Sequence, residues 1–335
     1  MAATLAIGLG GHAAAQSGAL PETSPAGPPI SEGGALSVTV ENDLVADTDR
    51  DYTSGVRLDY ITPRNQLSPF GDVAKRQLNP WLKAEDWYEI YAVGQTIFTP
   101  TDISAPPARG DRPYAGFLYG SFGVAADSGD QLNTVVLDVG VVGPLSGAEQ
   151  TQKYVHDIID AAKPVGWDLQ LENEPAFRVL YEHKRRAFLD LSLPFFDLGV
   201  DMLPHANVSL GTLDISAGAG VTLRLGAGLL DDYGPPRVRP AVGAPGFFST
   251  NRFFRWYLFA GAEGRAVGRN LLLEGNTFGG RDGVTINPFV GDFQVGAAAG
   301  LGAVELSYTH VLRTEEYAAQ PGFAEFGSFN IRTKF

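Results

Sequence analysis

The chain has 335 residues, no cysteine, 41 glycines and a formal net charge of −13 at pH 7. The absence of cysteine excludes a disulfide framework and a thiolate metal site. The acidic balance argues against nucleic acid as a partner, because such a partner would require a basic patch. The length alone allows one large domain or two ordinary ones.

The N-terminal residues predict export. A short apolar run ends at Ala13-Ala14-Ala15, an Ala-x-Ala pattern typical of a secretory signal peptide. The basic residues that normally precede such a run are missing, so a plain apolar N-terminus is the alternative. We expect a signal peptide over 1–15, a disordered lead-in rich in Pro, Gly and Ser over 16–34, and one folded domain over 35–335. In that domain no run of about 18 apolar residues predicts a membrane-spanning helix.

A polar stretch from Glu41 to Gly55, which holds five carboxylates, lies between two alternating segments. The segments 36–40 and 56–60 alternate apolar and polar residues, and a period of two is the mark of a β-strand. The polar stretch therefore lies at the rim between two strands. Its oxygen-rich side chains indicate either a site for a hard cation or an ordinary solvated turn.

The same alternation recurs along the chain and predicts an all-β fold. The predicted strands are 36–43, 53–63, 86–98, 114–125, 131–143, 174–192, 197–211, 214–227, 253–267, 288–300, 302–313 and 325–335. In an exported chain, an even number of such strands favours a transmembrane antiparallel β-barrel of about twelve strands, with its apolar face toward lipid and its charged face toward a wet lumen. A soluble β-sandwich is the alternative. The stretches 228–252 and 269–287 predict long loops, which barrels place outside the cell.

One segment breaks the strand pattern and predicts an inserted loop helix. Ser146 and Glu149 form a capping-box pattern, and a helix from about Ala148 to Ala162 would end at Lys163-Pro164. Its apolar stripe would be Val155, Ile158, Ile159 and Ala162, and another face would carry Gln152, His156 and Asp160. Because such a helix has no role in closing a barrel, it is a candidate for holding a site against the rim.

His156 is the histidine on this predicted helix, with polar neighbours one turn away. Imidazole titrates near neutral pH and can take a proton from water, and Asp160 or a backbone carbonyl could fix its tautomer. A solvated surface histidine is the alternative. The sequence contains no G-x-S-x-G elbow, no H-E-x-x-H zinc motif and no phosphate-binding glycine loop. A cation at the acidic rim and a histidine base would suit hydrolysis of a polarised carbonyl, and oxygen-only ligands favour calcium over zinc.

Motifs between residues 41 and 174 follow one another in a specific order. They are Asn42-Asp43, Thr48 to Gly55, Gly94-Gln95, Phe98-Thr99-Pro100, Asp111 to Gly116, Gly143-Pro144, Gln152, His156, Gly166-Trp167-Asp168 and Gln170 to Asn173. In order and spacing they resemble the outer-membrane lipid A 3′-O-deacylase family, over a region from about residue 36 to the C-terminus. The resemblance implies a twelve-stranded barrel with a calcium-dependent site near its outer face, between wall and loop helix, which removes the 3′-linked acyloxyacyl group of lipid A.

The resemblance also implies roles for single residues. By matching position, His156 would be the base that activates water, and Asn42, Asp43 and Thr53 would be the rim residues of the catalytic site. Asn42 and Thr53 would orient or stabilise the oxyanion. The expected Ca²⁺ ligands are Asp43, Asn42 and Glu172, and the expected substrate-binding residues are Arg112, Tyr114, Gln152 and Trp167. The expected partners are lipid A or lipopolysaccharide and outer-membrane lipids, around a monomer in the bacterial outer membrane.

Two positions depart from the family pattern. Ala162 stands where a carboxylate is expected near the end of the helix, and Pro164 replaces a tyrosine. If those groups bind calcium or substrate, this chain must use Glu172, Asp168 or Asp160 instead, or be a weaker enzyme. For the basic loop residues of the family, Arg109 and Arg112 are the nearest candidates.

Three further interpretations follow from the same residues. On a regular strand Asn42 and Asp43 point to opposite faces, so both can serve one site only if the rim bends or bulges. A barrel with a vestigial site that serves as a pore or structural wall is one alternative function, favoured by Ala162. An outer-membrane phospholipase of the same type is the other.

Overall fold

The computed structural model describes residues 33–43, 51–186, 188–193, 198–229, 232–234 and 253–335. The predicted signal peptide, nearly all of the lead-in, and the rim residues Asp47 to Arg50 lie outside this part of the chain. The strands are β1 (Ala35–Asn42), β2 (Asp51–Ile61), β3 (Asp86–Thr99), β4 (Ala115–Asp127), β5 (Gln131–Val142), β6 (Glu174–Arg185), β7 (Leu189–Leu193), β8 (Leu198–Gly211), β9 (Asp214–Ala227), β10 (Phe254–Asn270), β11 (Phe289–Leu301), β12 (Val304–Arg313) and β13 (Ala324–Lys334). The helices are α1 (Pro69–Leu82), α2 (Ala148–Ile159) and α3 (Leu271–Glu274).

The sheet closes on itself as a twelve-stranded antiparallel barrel. Except for β6 and β7, each strand pairs with its neighbour in sequence, and β1 also pairs with β13. β6 pairs with the later half of β8 and β7 with the earlier half, so these two segments act as one interrupted strand. The predicted all-β barrel is confirmed, and the predicted strand 174–192 corresponds to β6 and β7 together.

Alternation along the strands separates an apolar outer surface from a polar lumen. On β1 the exposed residues are Leu36, Val38 and Val40, whereas Ser37 and Glu41 are buried inside. The other strands repeat this pattern, with the alternation of burial that a period of two requires. The outer face therefore suits a hydrocarbon environment, as the sequence predicts.

The lumen is filled by buried ion pairs. Arg178 Nε donates to Asp138 Oδ2 at 2.7 Å, and Arg313 Nε donates to Asp292 Oδ1 at 2.8 Å. Arg224 donates to Asp201 and also to Asp232, a residue of the loop after β9 that enters the lumen. A buried charge is tolerated only with such partners. The interior is therefore a packed polar core rather than the wet channel expected from the sequence.

The chain direction assigns each connection to one of two ends. One end holds the start of β1, the end of β13, helix α1 and the connection from β9 to β10. The opposite end, here called the rim, holds the connections after β1, β3, β5, β8, β10 and β12, including α2 and α3. The two long loops expected from the sequence on one side thus leave from opposite ends.

The helices differ from the sequence prediction. The helix α1 was not predicted, although Ser68 accepts a hydrogen bond from Gly71 N as its N-cap and Pro69 occupies its first turn. The short helix α3 lies in a region predicted as loop. In the part of the chain that the structure describes, no helix is both long enough and apolar enough to cross a membrane.

Candidate active site

Helix α2 packs on the outside of the barrel wall, over β3 and β4. Ala148 joins a buried cluster with Ile97 of β3 and with Tyr114 and Trp167 from the loops on either side. Gln95 Nε2 donates to the carbonyl oxygen of Ser146 at 2.7 Å and fixes the segment before the helix. The inserted helix therefore lies against the outside of the barrel wall. The expected site would lie between this helix and the wall.

Gly116 of β4 makes the close approach of α2 possible. A Cβ atom at this position would lie 2.2 Å from both the Ala148 Cβ and the Ser146 Oγ, a distance that no real contact allows. Glycine is the residue that permits such an approach between elements. This geometry explains the need for glycine at position 116.

One row of outward-facing residues runs from β1 to α2. Asn42 is opposite Ser54, Ser54 is opposite Ile97, and Ile97 is opposite Gly116. Because residues directly opposite each other share a face of the sheet, Asn42 points outward on the wall that α2 contacts. β1 ends at Asn42 and the chain turns at Asp43, so strict strand alternation stops between these two residues.

Thr53 forms a β-bulge in this row. The pairing of β2 with β3 skips from Tyr52 to Ser54, which leaves Thr53 as the extra residue. Its Oγ1 lies 2.6 Å from the Oγ1 of Thr99, which belongs to the outward-facing set of β3. Asn42 and Asp43 can serve one site only if the rim bends or bulges. A bulge is present at the rim, but it lies on β2 at Thr53 rather than on β1.

The predicted capping box of α2 is wrong. Ser146 belongs to a 3₁₀ turn over Pro144–Ser146, where its Oγ donates to Gly143 O at 2.6 Å, and the N-cap of α2 is Gly147. The helix ends at Ile159, because Asp160 adopts a left-handed conformation with φ 55°. It is thus shorter than predicted, and its end precedes both Ala162 and Pro164.

His156 is enclosed between α2 and the wall, with 4% of its surface exposed, so the alternative of a solvated histidine is wrong. Its Nδ1 lies 2.5 Å from the carbonyl oxygen of Ala162. A carbonyl oxygen can only accept, so Nδ1 carries the proton and donates it, and in the neutral ring Nε2 carries the lone pair. A backbone carbonyl, rather than Asp160, therefore fixes the tautomer of the ring.

The buried and exposed faces of α2 are the reverse of those in a water-soluble protein. Gln152 and His156 are buried, whereas Val155, Ile158 and Ile159 of the predicted apolar stripe are exposed. Asp160, one turn beyond His156, is also exposed. The polar face is therefore turned to the barrel and the apolar face to the surroundings.

The residues expected to bind substrate are buried, three of them around the docked helix and Arg112 at the rim. Trp167 Nε1 donates to Gln152 Oε1 at 2.8 Å, and Tyr114 packs on the Trp167 ring with 4.7 Å between centroids. The Tyr114 hydroxyl donates to the Val165 carbonyl at 2.9 Å. Arg112 is 1% exposed and lies over the Phe98 ring, at 4.6 Å from its centroid. In this structure the four residues support the rim and the helix.

Tyr317 joins distant parts of the rim, and the sequence motifs did not include it. Its hydroxyl donates to Asp111 Oδ1 at 2.8 Å and lies 3.3 Å from Asp51 Oδ1. Burial, together with the carboxylates of Asp51 and Asp111, raises the pKa of Tyr317, so the hydroxyl remains a donor at neutral pH. The partners are more than 200 residues apart in sequence, which is why no local pattern indicates this contact.

The residues expected to bind calcium do not all meet. Asn42 and the buried Asp43 lie at the end of β1, whereas the exposed Glu172 precedes β6, where its backbone N–H donates to Asn276 Oδ1 at 2.9 Å. Five strand spacings of ~4.8 Å separate β1 from β6, about 24 Å along the sheet. One ion with ligands at about 2.4 Å cannot span that distance. Asp168, an alternative ligand, is exposed. Arg109, a candidate for the basic loop residues, is exposed as well.

The donors near Asn42 are nevertheless of the right chemical kind for calcium. Within the described ranges, no group of three or more His, Asp or Glu side chains could hold a metal ion. The row that includes Asn42 and Thr53 offers an amide and hydroxyl oxygens beside the carboxylate of Asp43. Calcium accepts such mixed oxygen ligands, including water and backbone carbonyls, and does not require several carboxylates.

The fold and this arrangement define a closed transmembrane β-barrel that holds a histidine against its outer wall with an inserted helix. The chain belongs to the LpxR family, since the family model described as "Outer membrane protein LpxR" matches residues 1–335. It is therefore a protein of the bacterial outer membrane, as predicted from its sequence. A search of curated proteins finds no match to the chain.

Comparison with solved structures gives the same fold. The chain is similar to LpxR from Salmonella typhimurium, with a TM-score of 0.73 and 22% identity over 90% of this chain and 100% of that chain. An identity this low supports the fold alone. The β-domain of the Bordetella autotransporter BrkA matches with a TM-score of 0.43 and 12% identity, over 90% of this chain and 99% of that chain. That similarity is too low to support any inference.

Proposed function

We propose that this protein is a calcium-dependent lipid A 3′-O-deacylase, which hydrolyses the ester that links the 3′ acyloxyacyl group to lipid A. The observation that carries the proposal is the state of His156. Its ring is buried against the outer wall of a membrane barrel, and its Nδ1 donates to Ala162 O at 2.5 Å. A base on the outer wall can act on an ester that remains in the membrane.

In the proposed reaction, Nε2 of His156 takes a proton from water while the water oxygen attacks the ester carbonyl carbon. The imidazolium that forms is stabilised by the Nδ1–H bond to the Ala162 carbonyl. Collapse of the tetrahedral intermediate breaks the bond between the acyl carbon and the 3′ oxygen. The imidazolium returns its proton to that oxygen, so the products are a sugar hydroxyl and a carboxylic acid.

The amide of Asn42 and the hydroxyl of Thr53 can donate to the developing oxyanion from the outward row of the wall. The bulge at Thr53 and the hydroxyl of Thr99 at 2.6 Å support this position. Asp43, with Asn42, would hold calcium. When bound, the ion would supply a positive charge that polarises the ester carbonyl.

The packed lumen disfavours the alternative function as a pore. Ion pairs such as Arg178 with Asp138, at 2.7 Å, occupy the interior with little exposed surface on either partner. Nothing in the described residues favours a phospholipase, because the outer wall does not by itself distinguish one membrane ester from another.

The proposal is tested by mass spectrometry of lipid A from bacterial cells that express the chain and insert it into their outer membrane. We expect loss of the mass of the 3′ acyloxyacyl group, and no loss in cells with the empty vector. Release of ordinary fatty acids from phospholipids, with unchanged lipid A, would support the phospholipase instead. Unchanged lipids with a correctly inserted barrel would contradict the proposal.

A further inference from the structure

The exposed surface of α2 has two different sides. Tyr154, Val155 and Ile158 are exposed, with 69% of Tyr154 and 64% of Ile158 accessible. Glu149 and Lys153 form an ion pair on the same helix. Lys153 and Ile158 are five residues apart, which places them roughly 140° apart around the helix axis. The helix thus presents three sectors: a polar one to the barrel, a charged one and an apolar one.

The apolar sector continues the outer surface of the barrel. The outward row of β5 contains Leu137 and Val139, both exposed, and the exposed Leu145 follows at the end of this strand. Leu145 leads directly into α2. This surface of the barrel contacts lipid in an outer-membrane protein, so the apolar sector of α2 is continuous with an established lipid interface.

Helix α1 has the same arrangement at the other end of the same strands. Its inner side packs on Trp87 of β3 and on Val124 and Ala126 of β4. Its outer side exposes Phe70 and Trp81, the latter with 84% of its surface accessible. Both α1 and α2 therefore lie against the outside of β3 and β4, one near each end.

The separation of the two helices matches a membrane. Trp87 beneath α1 and Ile97 beneath α2 are ten positions apart on β3, which is about 33 Å at ~3.3 Å per residue. A barrel strand is tilted by about 40°, which reduces this length to ~25 Å along the membrane normal, and the apolar band of such barrels is about 25 Å tall. The helices thus lie at the two boundaries of that band.

We propose that α2 is an interfacial helix immersed in the outer leaflet, with Tyr154, Val155 and Ile158 among the acyl chains and Glu149 and Lys153 at the headgroups. Helix α1 occupies the opposite interface in the same way. Amphipathic helices with a charged side and an aromatic or aliphatic side bind membranes in this orientation. His156 is consequently held at the depth of the leaflet, in the cleft between α2 and the wall. The proposal does not rest on the proposed function.

Site-directed spin labelling tests the placement. The chain has no cysteine, so Ile158→Cys and Lys153→Cys each give one labelling site. In phosphatidylethanolamine and phosphatidylglycerol vesicles, we expect the label at 158 to collide several-fold more often with oxygen than with a water-soluble nickel chelate. We expect the label at 153 to collide more often with the nickel chelate than with oxygen. On α1, Trp81→Cys and Arg76→Cys form the corresponding pair and should behave alike.

Heat-modifiable migration shows whether each variant has folded, and Tyr154→Cys replaces Ile158→Cys if that variant does not fold. Equal exposure to nickel at 158 and 153 would overturn the proposal, since α2 would then lie in water. Exposure to oxygen alone at both positions would also overturn it, because the charged sector would then be in the acyl layer. Neither outcome depends on catalytic activity.

Discussion

The indole nitrogen of Trp167 donates to Oε1 of Gln152 at 2.8 Å, and Gln152 lies one turn before His156 on the buried face of α2. This bond ties the segment after the helix back onto the face that carries the histidine. The position of the imidazole therefore depends on a contact outside the reacting groups.

Replacement of Trp167 by Phe should lower the deacylation rate at least tenfold while the barrel still folds. The buried Gln152 oxygen would lose its donor, at a cost of about 1–3 kcal/mol, and the helix would shift on the wall. The measurement is the rate of acyl release by purified protein. Trp81→Phe, at an exposed indole on α1, is the matched control and should retain the wild-type rate. Equal rates for the two variants would show that the bond does not position the site.

Gly116→Ala should separate α2 from the wall, because the new Cβ would overlap with Ala148 and Ser146 at 2.2 Å. We expect strong loss of activity and faster proteolysis near α2, with unchanged heat-modifiable migration. Gly120→Ala is the control on the same strand, since the nearest atom to its Cβ is at 3.9 Å. If Gly116→Ala is as active as Gly120→Ala, the docked position of α2 is not required for the reaction.

Asp43→Asn should raise the calcium concentration required for half-maximal activity by tenfold or more, because a neutral amide binds the ion more weakly than a carboxylate. The measurement is a calcium titration of acyl release after treatment with EGTA. Asp102→Asn changes the same functional group in an exposed loop and should leave the titration unchanged. Activity of the wild type that persists in EGTA would rule out the calcium requirement.

The protein should not conduct ions. Buried pairs such as Arg313 with Asp292 and Arg255 with Glu305 fill the lumen, and an ion would have to displace them. Planar bilayers that contain the purified barrel should show no steady conductance above the bare membrane. Stable, discrete conductance steps would support the pore instead.

The sequence predicted the wall better than the site. All twelve strands were found, because a period of two and the turn residues are local signals. The helix α1 was overlooked, although Ser68-Pro69 is a start signal that local reading could have found. The extra residue at Thr53 was not foreseeable in detail, since it depends on the pairing register between β2 and β3.

The orientation of α2 shows where a general rule fails. A stripe such as Val155, Ile158 and Ile159 is normally assigned to a core because water surrounds the protein. In this chain the stripe is exposed and His156 is buried, which fits a helix with lipid on its outer side. Contacts such as that of Tyr317 with Asp111 and Asp51 join segments far apart in the chain and require the closed barrel.

The proposed catalytic role of His156 is tested most directly by mass spectrometry of lipid A incubated with purified wild-type protein or with His156→Ala, each with calcium. Asp157→Ala, the exposed neighbour on the same helix, is the control. We predict loss of the 3′ acyloxyacyl group with the wild type and with Asp157→Ala, and intact lipid A with a folded His156→Ala variant. Removal of the same group by folded His156→Ala at the wild-type rate would contradict the account.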